Sequence, residues 1–285
     1  MKHDIELTDD HPKQGLYLDI SNNEYHHTEK FTMLSSGGIR TLLGKSPSHL
    51  KATFESTEES KNPNFIFGSA THSYILEPDK KNVFIEPDVD KRTKEGKELY
   101  AKFKKIIEKK KNAIVINSEL MDIIKNMKEI LFENKMLSEL LGGGKSEVTG
   151  VWDDPIYNFK CKLRNDYWQE DLNLIIDYKT AIDASLEAFS KAVFNYGYHI
   201  QAQWYKTGMK IITGVAHDFI FVVQEKTPPY SVAIYNASME MSEIAEIQIK
   251  KAKQIYNDCL KENKWPGYPK DIQQIIIPSW IRSNL

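Results

Sequence analysis

Two charged side chains stand close together in an otherwise apolar stretch of the sequence, LNLIIDYKT at 172–180. Asp177 and Lys179 are two positions apart, so in a strand their side chains lie on the same face. A buried ion pair is rarely more stable than well-packed apolar residues, which favours a functional site. A carboxylate that holds a divalent metal, beside an ammonium that orients water and stabilises negative charge, suits phosphodiester hydrolysis. The alternative is an edge strand whose charges face solvent.

A second carboxylate, Asp166, precedes Asp177 by eleven positions and ends the segment FKCKLRND. Two strands joined by a tight turn would bring the two carboxylates together. Magnesium is usually bound through one or two carboxylates, with phosphate and water as further ligands. The pair therefore indicates a metal site, and an ordinary turn residue is the alternative for Asp166.

The periodicity of the apolar residues predicts the elements that position these side chains. A largely helical first part ends at the triple glycine 142–144, and alternating segments follow it. Three of them, SEVTGVW, FKCKLRND and LNLIIDYKT, predict a three-stranded meander. The other predicted elements are helices at 35–44, 46–55, 67–78, in the lysine-rich segment after 91, and at 118–141, 183–197, 198–211 and 238–262, with strands at 217–224 and 230–237.

Length and composition favour one globular, enzyme-sized unit. With 285 residues, 41% of them hydrophobic and 11% aromatic, the chain can bury a substantial core. We expect a single domain over 1–285, with a helical N-terminal elaboration (1–64), a catalytic core (65–236) and a C-terminal helix and tail (237–285). The chain lacks a secretion signal and any stretch of roughly 18 apolar residues, so we expect a cytoplasmic protein without membrane contact.

Cysteine and charge exclude other classes of site. Cys161 and Cys259 are too far apart for a CxxC zinc set, and two thiols cannot hold an iron–sulfur cluster. The eight histidines include no HExxH, which makes a zinc hydrolase a weaker option. The net charge of −2 does not by itself indicate a polyanion partner, but the segment 91–111 has ten Lys or Arg and three Glu. This segment is either a solvated helix face or a phosphate contact.

Several short segments occur in an order and spacing that resemble a known family. They are GSATHSYILEP, SEVTGVW, CKLRND, IIDYKT with AIDASLEAF, and YGYHIQAQWY, between Phe65 and Trp204. Together they resemble the PD-(D/E)xK nuclease superfamily, and within its RecB-like branch the phage and prophage exonuclease VIII (RecE-type) nuclease domain. The resemblance implies an α/β fold with a restriction-endonuclease-like core, in which helices flank a central mixed β-sheet, and a helical N-terminal elaboration. Asn165 replaces the proline of the superfamily name, and an Asn turn can still place the next carboxylate.

The resemblance also implies roles for individual residues. Asp166, Asp177 and Lys179 take the core catalytic positions, and Asp177 becomes the central metal ligand. The main-chain carbonyl of Tyr178 and the helix histidine His72 are implied as further ligands. Gln201 and Tyr205 match the QxxxY motif close to the catalytic lysine and the DNA.

Each implied residue has an ordinary structural alternative. His72 has small and apolar neighbours, which alone would favour a core or surface histidine. Gln201 and Tyr205 are four apart and share a helix face, where most such pairs simply meet solvent. Glu147 precedes the strand VTGVW and is either a metal ligand or a solvated glutamate. Arg164 shares a strand face with Asp166 and either contacts a DNA phosphate or pairs with that carboxylate.

The predicted function is that of a Mg²⁺-dependent exodeoxyribonuclease acting on linear double-stranded DNA. The resemblance implies 5′ to 3′ polarity, a role in phage-type recombination or repair, a bacterial or phage source, a ring-like homo-oligomer and a single-strand annealing protein as partner. Mn²⁺ should substitute for Mg²⁺. The alternatives are an endonuclease of the same superfamily and a non-catalytic DNA-binding module on the same fold.

Overall fold

The structure is a computed structural model that describes residues 12–56, 62–110 and 112–277. Its centre is a six-stranded mixed sheet in the order β1-β4-β5-β6-β7-β8, and β2 pairs with β3 in a separate two-stranded ribbon. The strands are β1 (Gly15–Tyr17), β2 (Val83–Ile85), β3 (Ile114–Ile116), β4 (Lys145–Asp153), β5 (Lys160–Gln169), β6 (Leu174–Ala181), β7 (Asp218–Glu225) and β8 (Val232–Asn236).

The predicted meander and strand pair are confirmed. Strands β4, β5 and β6 are antiparallel neighbours, β7 lies parallel to β6, and β8 returns antiparallel to β7. The parallel pair requires a long crossover, which the two helices between β6 and β7 provide. Strand β1 pairs antiparallel with β4 and was not predicted, since three residues are too few to show a period.

Helices surround the sheet at nearly all of the predicted positions. They are α1 (Asn22–His27), α2 (Ser36–Gly44), α3 (Pro47–Glu55), α4 (Pro63–Leu76), α5 (Lys94–Ile107), α6 (Ser118–Glu133), α7 (Lys135–Leu140), α8 (Leu186–Asn195), α9 (Tyr198–Thr213) and α10 (Met239–Glu262). Ser35 caps α2 as predicted. Helix α4 begins four residues earlier than predicted, because Asn62 caps it and proline is compatible with the first helical position. No helix in the described part of the chain could span a membrane.

The two faces of the sheet carry separate cores. Helices α2, α9 and α10 pack on one face, where Ile175 of β6 is fully buried. Helices α4 and α6 pack on the other face, against Ile176 and Tyr178. The alternation predicted for β6 is therefore correct, and Asp177 and Lys179 belong to the α9 side.

Helix α9 lies unusually close to the sheet because it carries a glycine at the crossing. A Cβ atom at Gly208 would stand 2.6 Å from Leu163 and 2.7 Å from Trp152. Both partners are buried and cannot move away freely. Gly208 thus sets the height of α9 above β4 and β5.

Strands β5 and β6 pair over only a short length. Tyr167, Trp168 and Gln169 face the segment Leu174–Ile176, and the pairing stops there. Beyond this point β6 continues alongside β7 as far as Ala181. The two strands therefore separate at the end where Asp166 and Asp177 lie.

A segment before α2 covers one end of the sheet. Tyr25, Phe31 and Met33 are buried and form a small core with Val151 of β4. The predicted helical N-terminal elaboration is present as α1, α2 and α3. The first residues of the predicted N-terminal elaboration (1–11) and the last residues of the predicted C-terminal tail (278–285) lie outside the described residues.

Candidate active site

Asp177 and Lys179 lie on the α9 side of β6, where Lys179 is half-buried. Asp177 is fully buried, and its Oδ1 accepts a hydrogen bond of 2.8 Å from Gln201 Nε2. Its Oδ2 forms an ion pair with the ammonium of Lys179. The Lys179 Nζ atom also lies 4.9 Å from the ring centroid of Tyr198. The alternative of solvated charges on an edge strand is wrong for this pair, because β6 lies inside the sheet.

Asp166 occupies the opening between β5 and β6. Its Oδ2 accepts a hydrogen bond of 2.9 Å from the backbone N–H of Tyr178. The side chain thus replaces the strand pairing that stops at Ile176. Because the N–H and C=O of one strand residue point to the same side, the Tyr178 carbonyl faces the same opening. This is the carbonyl for which the sequence predicts a metal contact.

Three side chains from three elements meet beside this opening. One ligand atom each of His72, Glu147 and Asp166 lies within 4.8 Å of the others. His72 Nδ1 is 3.7 Å from Asp166 Oδ2. In the part of the chain that the structure describes, no other three His, Cys, Asp or Glu side chains meet in this way. Asp177 is outside this group and binds Gln201 and Lys179 instead.

Glu147 reaches the group through an unusual backbone conformation. It lies within β4, yet its φ is +52°, in the left-handed region that side chains other than glycine rarely adopt. The strand register skips it: Ser146 pairs with Tyr167 and Val148 pairs with Asn165. Strain of this kind concentrates at functional sites. The backbone thus stores strain at a residue that the sequence predicted as a metal ligand.

The electrostatics of the site follow from burial and from mutual proximity. Burial raises the pKa of Asp177 to about 6, against the opposing effect of the Lys179 ammonium. Burial alone would lower the pKa of Lys179, but Asp177 and Asp166 outweigh it and the pKa is raised. Burial, and then the Lys179 charge, lower the pKa of His72 to about 4. At neutral pH the imidazole is therefore neutral and can donate a lone pair.

The donor set suits a divalent cation. Burial, and then the charge of Asp166, raise the pKa of Glu147 to about 8. Burial also raises the pKa of Asp166 itself. Two carboxylates held this close repel each other, and a cation between them would remove that repulsion. Two carboxylates, an imidazole and a main-chain carbonyl are ligands that Mg²⁺ or Mn²⁺ accepts.

Arg164 lies next to this group but is bound within the protein. Its Nε donates to Thr149 Oγ1 at 3.1 Å, and one terminal nitrogen donates to the Ile20 carbonyl at 2.9 Å. Its other terminal nitrogen is 3.7 Å from Glu147 Oε2. The carboxylate beside it is thus that of Glu147 rather than Asp166. A phosphate contact by Arg164 stays a prediction.

A family model matches most of the chain, residues 35–276. Its description is "PDDEXK-like domain of unknown function (DUF3799)". The chain belongs to this family. The predicted PD-(D/E)xK superfamily and the restriction-endonuclease-like α/β fold are thereby confirmed, and the family and the fold support a hydrolytic nuclease.

Solved structures resemble this PDDEXK-like domain at low sequence identity. A crystal structure of a "Putative exonuclease" from Eubacterium rectale has 14% identity and a TM-score of 0.58, and the match covers 90% of this chain and 97% of that one. A "phage related exonuclease" from Haemophilus somnus 129PT has 15% identity over 68% of this chain and 95% of its own, with a TM-score of 0.29, too low to support the argument. No curated protein matches the chain. The first structure supports the fold.

Two neighbours of the site in this PDDEXK-like domain were missed from the sequence. Lys162 is buried and donates from Nζ to the Tyr25 carbonyl at 2.6 Å, across 137 residues of sequence. The Lys162 ammonium and the Arg164 guanidinium lie 4.1 and 4.2 Å from the centroid of the Tyr25 ring. No local sequence pattern indicates a hydrogen bond between residues so far apart in the chain. The motif GSATHSYILEP did contain the other missed residue, Glu77. Its charge partly opposes the burial that lowers the pKa of His72, and adds to the burial that raises the pKa of Glu147.

Proposed function

We propose that this protein is a Mg²⁺-dependent exodeoxyribonuclease that hydrolyses phosphodiester bonds of linear double-stranded DNA. One observation carries the proposal: Asp177 binds both Lys179 and Gln201 beside the group formed by His72, Glu147 and Asp166. Asp177 and Lys179 form a carboxylate–ammonium unit, and the group of three forms a cation site. That combination is suited to hydrolysis of a phosphate diester.

In this mechanism His72, Glu147 and Asp166 form the cation site. The Tyr178 carbonyl and Asp177 are the other proposed ligands. When bound, Mg²⁺ would supply positive charge that lowers the pKa of a water molecule and neutralises the phosphate. The neutral imidazole and the hydrogen bond from Tyr178 N–H to Asp166 leave lone pairs available in the opening between β5 and β6.

Lys179 acts as a positively charged donor. Its raised pKa keeps the ammonium protonated at neutral pH, so it orients the attacking water and stabilises the charge that develops on the phosphate. Gln201 fixes the Asp177 carboxylate through its 2.8 Å hydrogen bond. Tyr205 lies one helical turn further along α9, is buried, and has Gln201 as a polar neighbour. We assign Tyr205 the role of supporting Gln201 beside Asp177.

The finer parts of the proposal come from the family resemblance. They are 5′ to 3′ polarity, a role in phage-type recombination or repair, a ring-like homo-oligomer, an annealing protein as partner, and a cytoplasmic location in a bacterial or phage context. Light scattering on the protein as it elutes from a size-exclusion column would measure the oligomeric state.

The proposal is tested with linear duplex DNA labelled at either the 5′ or the 3′ end, beside a covalently closed circle. Release of acid-soluble nucleotides is followed with Mg²⁺, with Mn²⁺ and with EDTA. The control is Asp177→Asn, which keeps the shape of the side chain and removes its charge. We expect early loss of the 5′ label, an intact circle, dependence on the cation and an inactive variant.

Other outcomes would point to the alternatives. A nicked or linearised circle identifies an endonuclease with the same catalytic residues. Early loss of the 3′ label reverses the proposed polarity and leaves the nuclease assignment in place. Folded protein that leaves every substrate intact with both cations, yet binds duplex DNA, is a non-catalytic binding module.

A further inference from the structure

The lysine-rich segment folds as a helix whose charges have few partners. Residues 91–110 hold nine Lys or Arg and three Glu, and every one of these side chains is exposed. Two of the cations form ion pairs, Lys91 with Glu86 and Arg92 with Asp90. The described residues offer no ion pair to the lysines of α5 itself, so the positive charge of the helix is not neutralised within the protein.

The charge is concentrated on one side of α5. With about 100° of rotation per residue, four of the five lysines of α5, Lys94, Lys97, Lys104 and Lys105, fall within an arc of about 100°, and the C-cap residue Glu108 is the one acidic side chain in that arc. We call these four residues the lysine face. Its length is that of three helical turns, roughly 16 Å. The phosphates of one DNA strand lie within reach of a surface of that size.

Three apolar side chains of α5 are half-buried. Tyr100, Phe103 and Ile107 lie outside the arc of the lysine face. Leu99 and Ile106, at the rim of this apolar side, are 50% and 55% exposed. The lysine face is therefore the more exposed side of the helix.

A close contact fixes the start of the helix. A Cβ atom at Gly96 would stand 2.0 Å from the Asp90 carbonyl oxygen, which no side chain could tolerate. The same carbonyl accepts hydrogen bonds from the Thr93 backbone and hydroxyl. The backbone of the first turn, which carries Lys94 and Lys97, is thereby packed against the preceding loop.

The helix is also tied to the candidate active site through the chain. Helix α5 connects β2 to β3, and both strands pack against α4. Helix α4 carries His72, and its Ser73 hydroxyl hydrogen-bonds to Asn82, just before β2. The lysine face thus belongs to the unit that supplies one of the proposed metal ligands.

We propose that the lysine face binds the phosphate backbone of duplex DNA away from the bond that is cut. This inference rests on the proposed function, since it assigns the DNA a second contact on the same molecule. Charge complementarity selects the partner, because exposed lysines without acidic partners gain most from phosphates and the release of their counterions. An anionic membrane would need the apolar side of α5 to insert, and Tyr100, Phe103 and Ile107 on that side are already half-buried.

The test compares two variants with equal loss of charge. The first is K97Q/K104Q/K105Q, and the matched control is K250Q/K251Q/K261Q, three exposed lysines of α10. Fluorescence anisotropy measures the binding of a duplex of about 30 base pairs in EDTA, so that cleavage is not required. At about 100 mM salt we expect K97Q/K104Q/K105Q to weaken binding about tenfold and to reduce the slope of log K against log salt by about 2 to 3. The control should change binding less than about twofold.

Several results would overturn the inference. An equal loss of affinity in both variants would show a general charge effect. An unchanged salt slope in K97Q/K104Q/K105Q would show that the lysine face does not meet phosphates. If that variant instead lost binding to vesicles of phosphatidylserine and phosphatidylcholine while DNA binding stayed intact, the partner would be a membrane. Since binding is measured without a metal, failure of the cleavage assay and failure of this inference are separate results.

Discussion

The candidate active site and the lysine face of α5 use charge in opposite ways. At the site, Asp177 is fully buried and bound to Lys179 and Gln201, and Asp166 is bound to a backbone N–H. On α5 the lysines are exposed and lack acidic partners in the described structure. Buried charges interact strongly with one another, while exposed charges are screened by water and salt.

The difference determines how each region should respond to substitution. At the site, loss of one member leaves its partners buried and unpaired, so single substitutions should have large and non-additive effects. On α5 each lysine contributes a small, salt-dependent increment, and increments from separate lysines should add. Charge count therefore says little about importance unless burial is known.

The largest effect is expected for Lys179→Met. The substitution removes the cation that opposes the raised pKa of Asp177 and the donor that stabilises the phosphate. We expect cleavage of linear duplex to slow by about 10²- to 10⁴-fold. Lys191→Met is the control, since Lys191 is exposed and pairs with Glu187 on α8. Similar rates for the two variants would remove Lys179 from the mechanism.

Substitution of Glu147 should separate stability from activity. Glu147→Gly and Glu147→Ala both remove the carboxylate, and both should lose cleavage. Glycine relieves the strain of the positive φ, whereas alanine retains it. Urea denaturation in EDTA should therefore find the Gly variant more stable than the Ala variant by about 1 kcal/mol. Equal stabilities would show that the backbone at position 147 is not strained.

Lys162→Met should change the pH dependence of stability. Burial, and then the Arg164 charge, lower the pKa of Lys162 from 10.5 to about 7. The Lys162 amine therefore binds a proton more tightly in the unfolded chain than in the folded protein. This difference lowers the free energy of unfolding by its full amount below pH 7, and the effect disappears as the pH rises towards 10.5.

The free energy of unfolding of the wild type, minus that of Lys162→Met, should thus rise with pH between 7 and 10. Its slope should not exceed about 1.4 kcal/mol per pH unit. Lys145→Met is the control, at an exposed position where the lysine pairs with Glu170. A flat difference for Lys162→Met would mean that its ammonium is solvated in the folded protein.

The smallest effect is expected for a single substitution on the lysine face. Lys104→Gln should change the free energy of unfolding by less than about 0.5 kcal/mol, because the side chain is exposed. Its effect on duplex affinity should be about a third of the logarithmic effect of K97Q/K104Q/K105Q. If Lys104→Gln bound duplex DNA as weakly as K97Q/K104Q/K105Q does, Lys104 would make a specific contact rather than one of several additive ones.

The sequence predicted the parts of this molecule that depend on local pattern. The alternation in LNLIIDYKT placed Asp177 and Lys179 on one face of a strand, and the spacing of Gln201 and Tyr205 placed both on one helix face. The meander follows from turn residues between alternating segments. In each case the relevant neighbours lie within a few residues or within one hairpin.

The rest depends on contacts between distant segments. Lys162 and Arg164 donate hydrogen bonds to backbone carbonyls in the segment 20–25, about 140 positions away. Nothing near Tyr25 in the sequence indicates these bonds. The early end of the pairing between β5 and β6 was equally invisible, because their apolar pattern continues past Ile176. The positive φ of Glu147 belongs to a glutamate, a residue type that gives no sign of such a conformation.

The close crossing at Gly208 makes the chemistry depend on the size of a single side chain far from it. Gln201 lies about two helical turns before Gly208 on the same rigid rod, and its amide must meet Asp177 at 2.8 Å. A methyl group at position 208 would stand 2.6 Å from Leu163 and push that rod off the sheet. A shift of one ångström at a reacting group can cost two orders of magnitude in rate. The geometry of the candidate site is thus sensitive to a side chain at position 208, where α9 crosses the sheet outside the group of proposed catalytic residues.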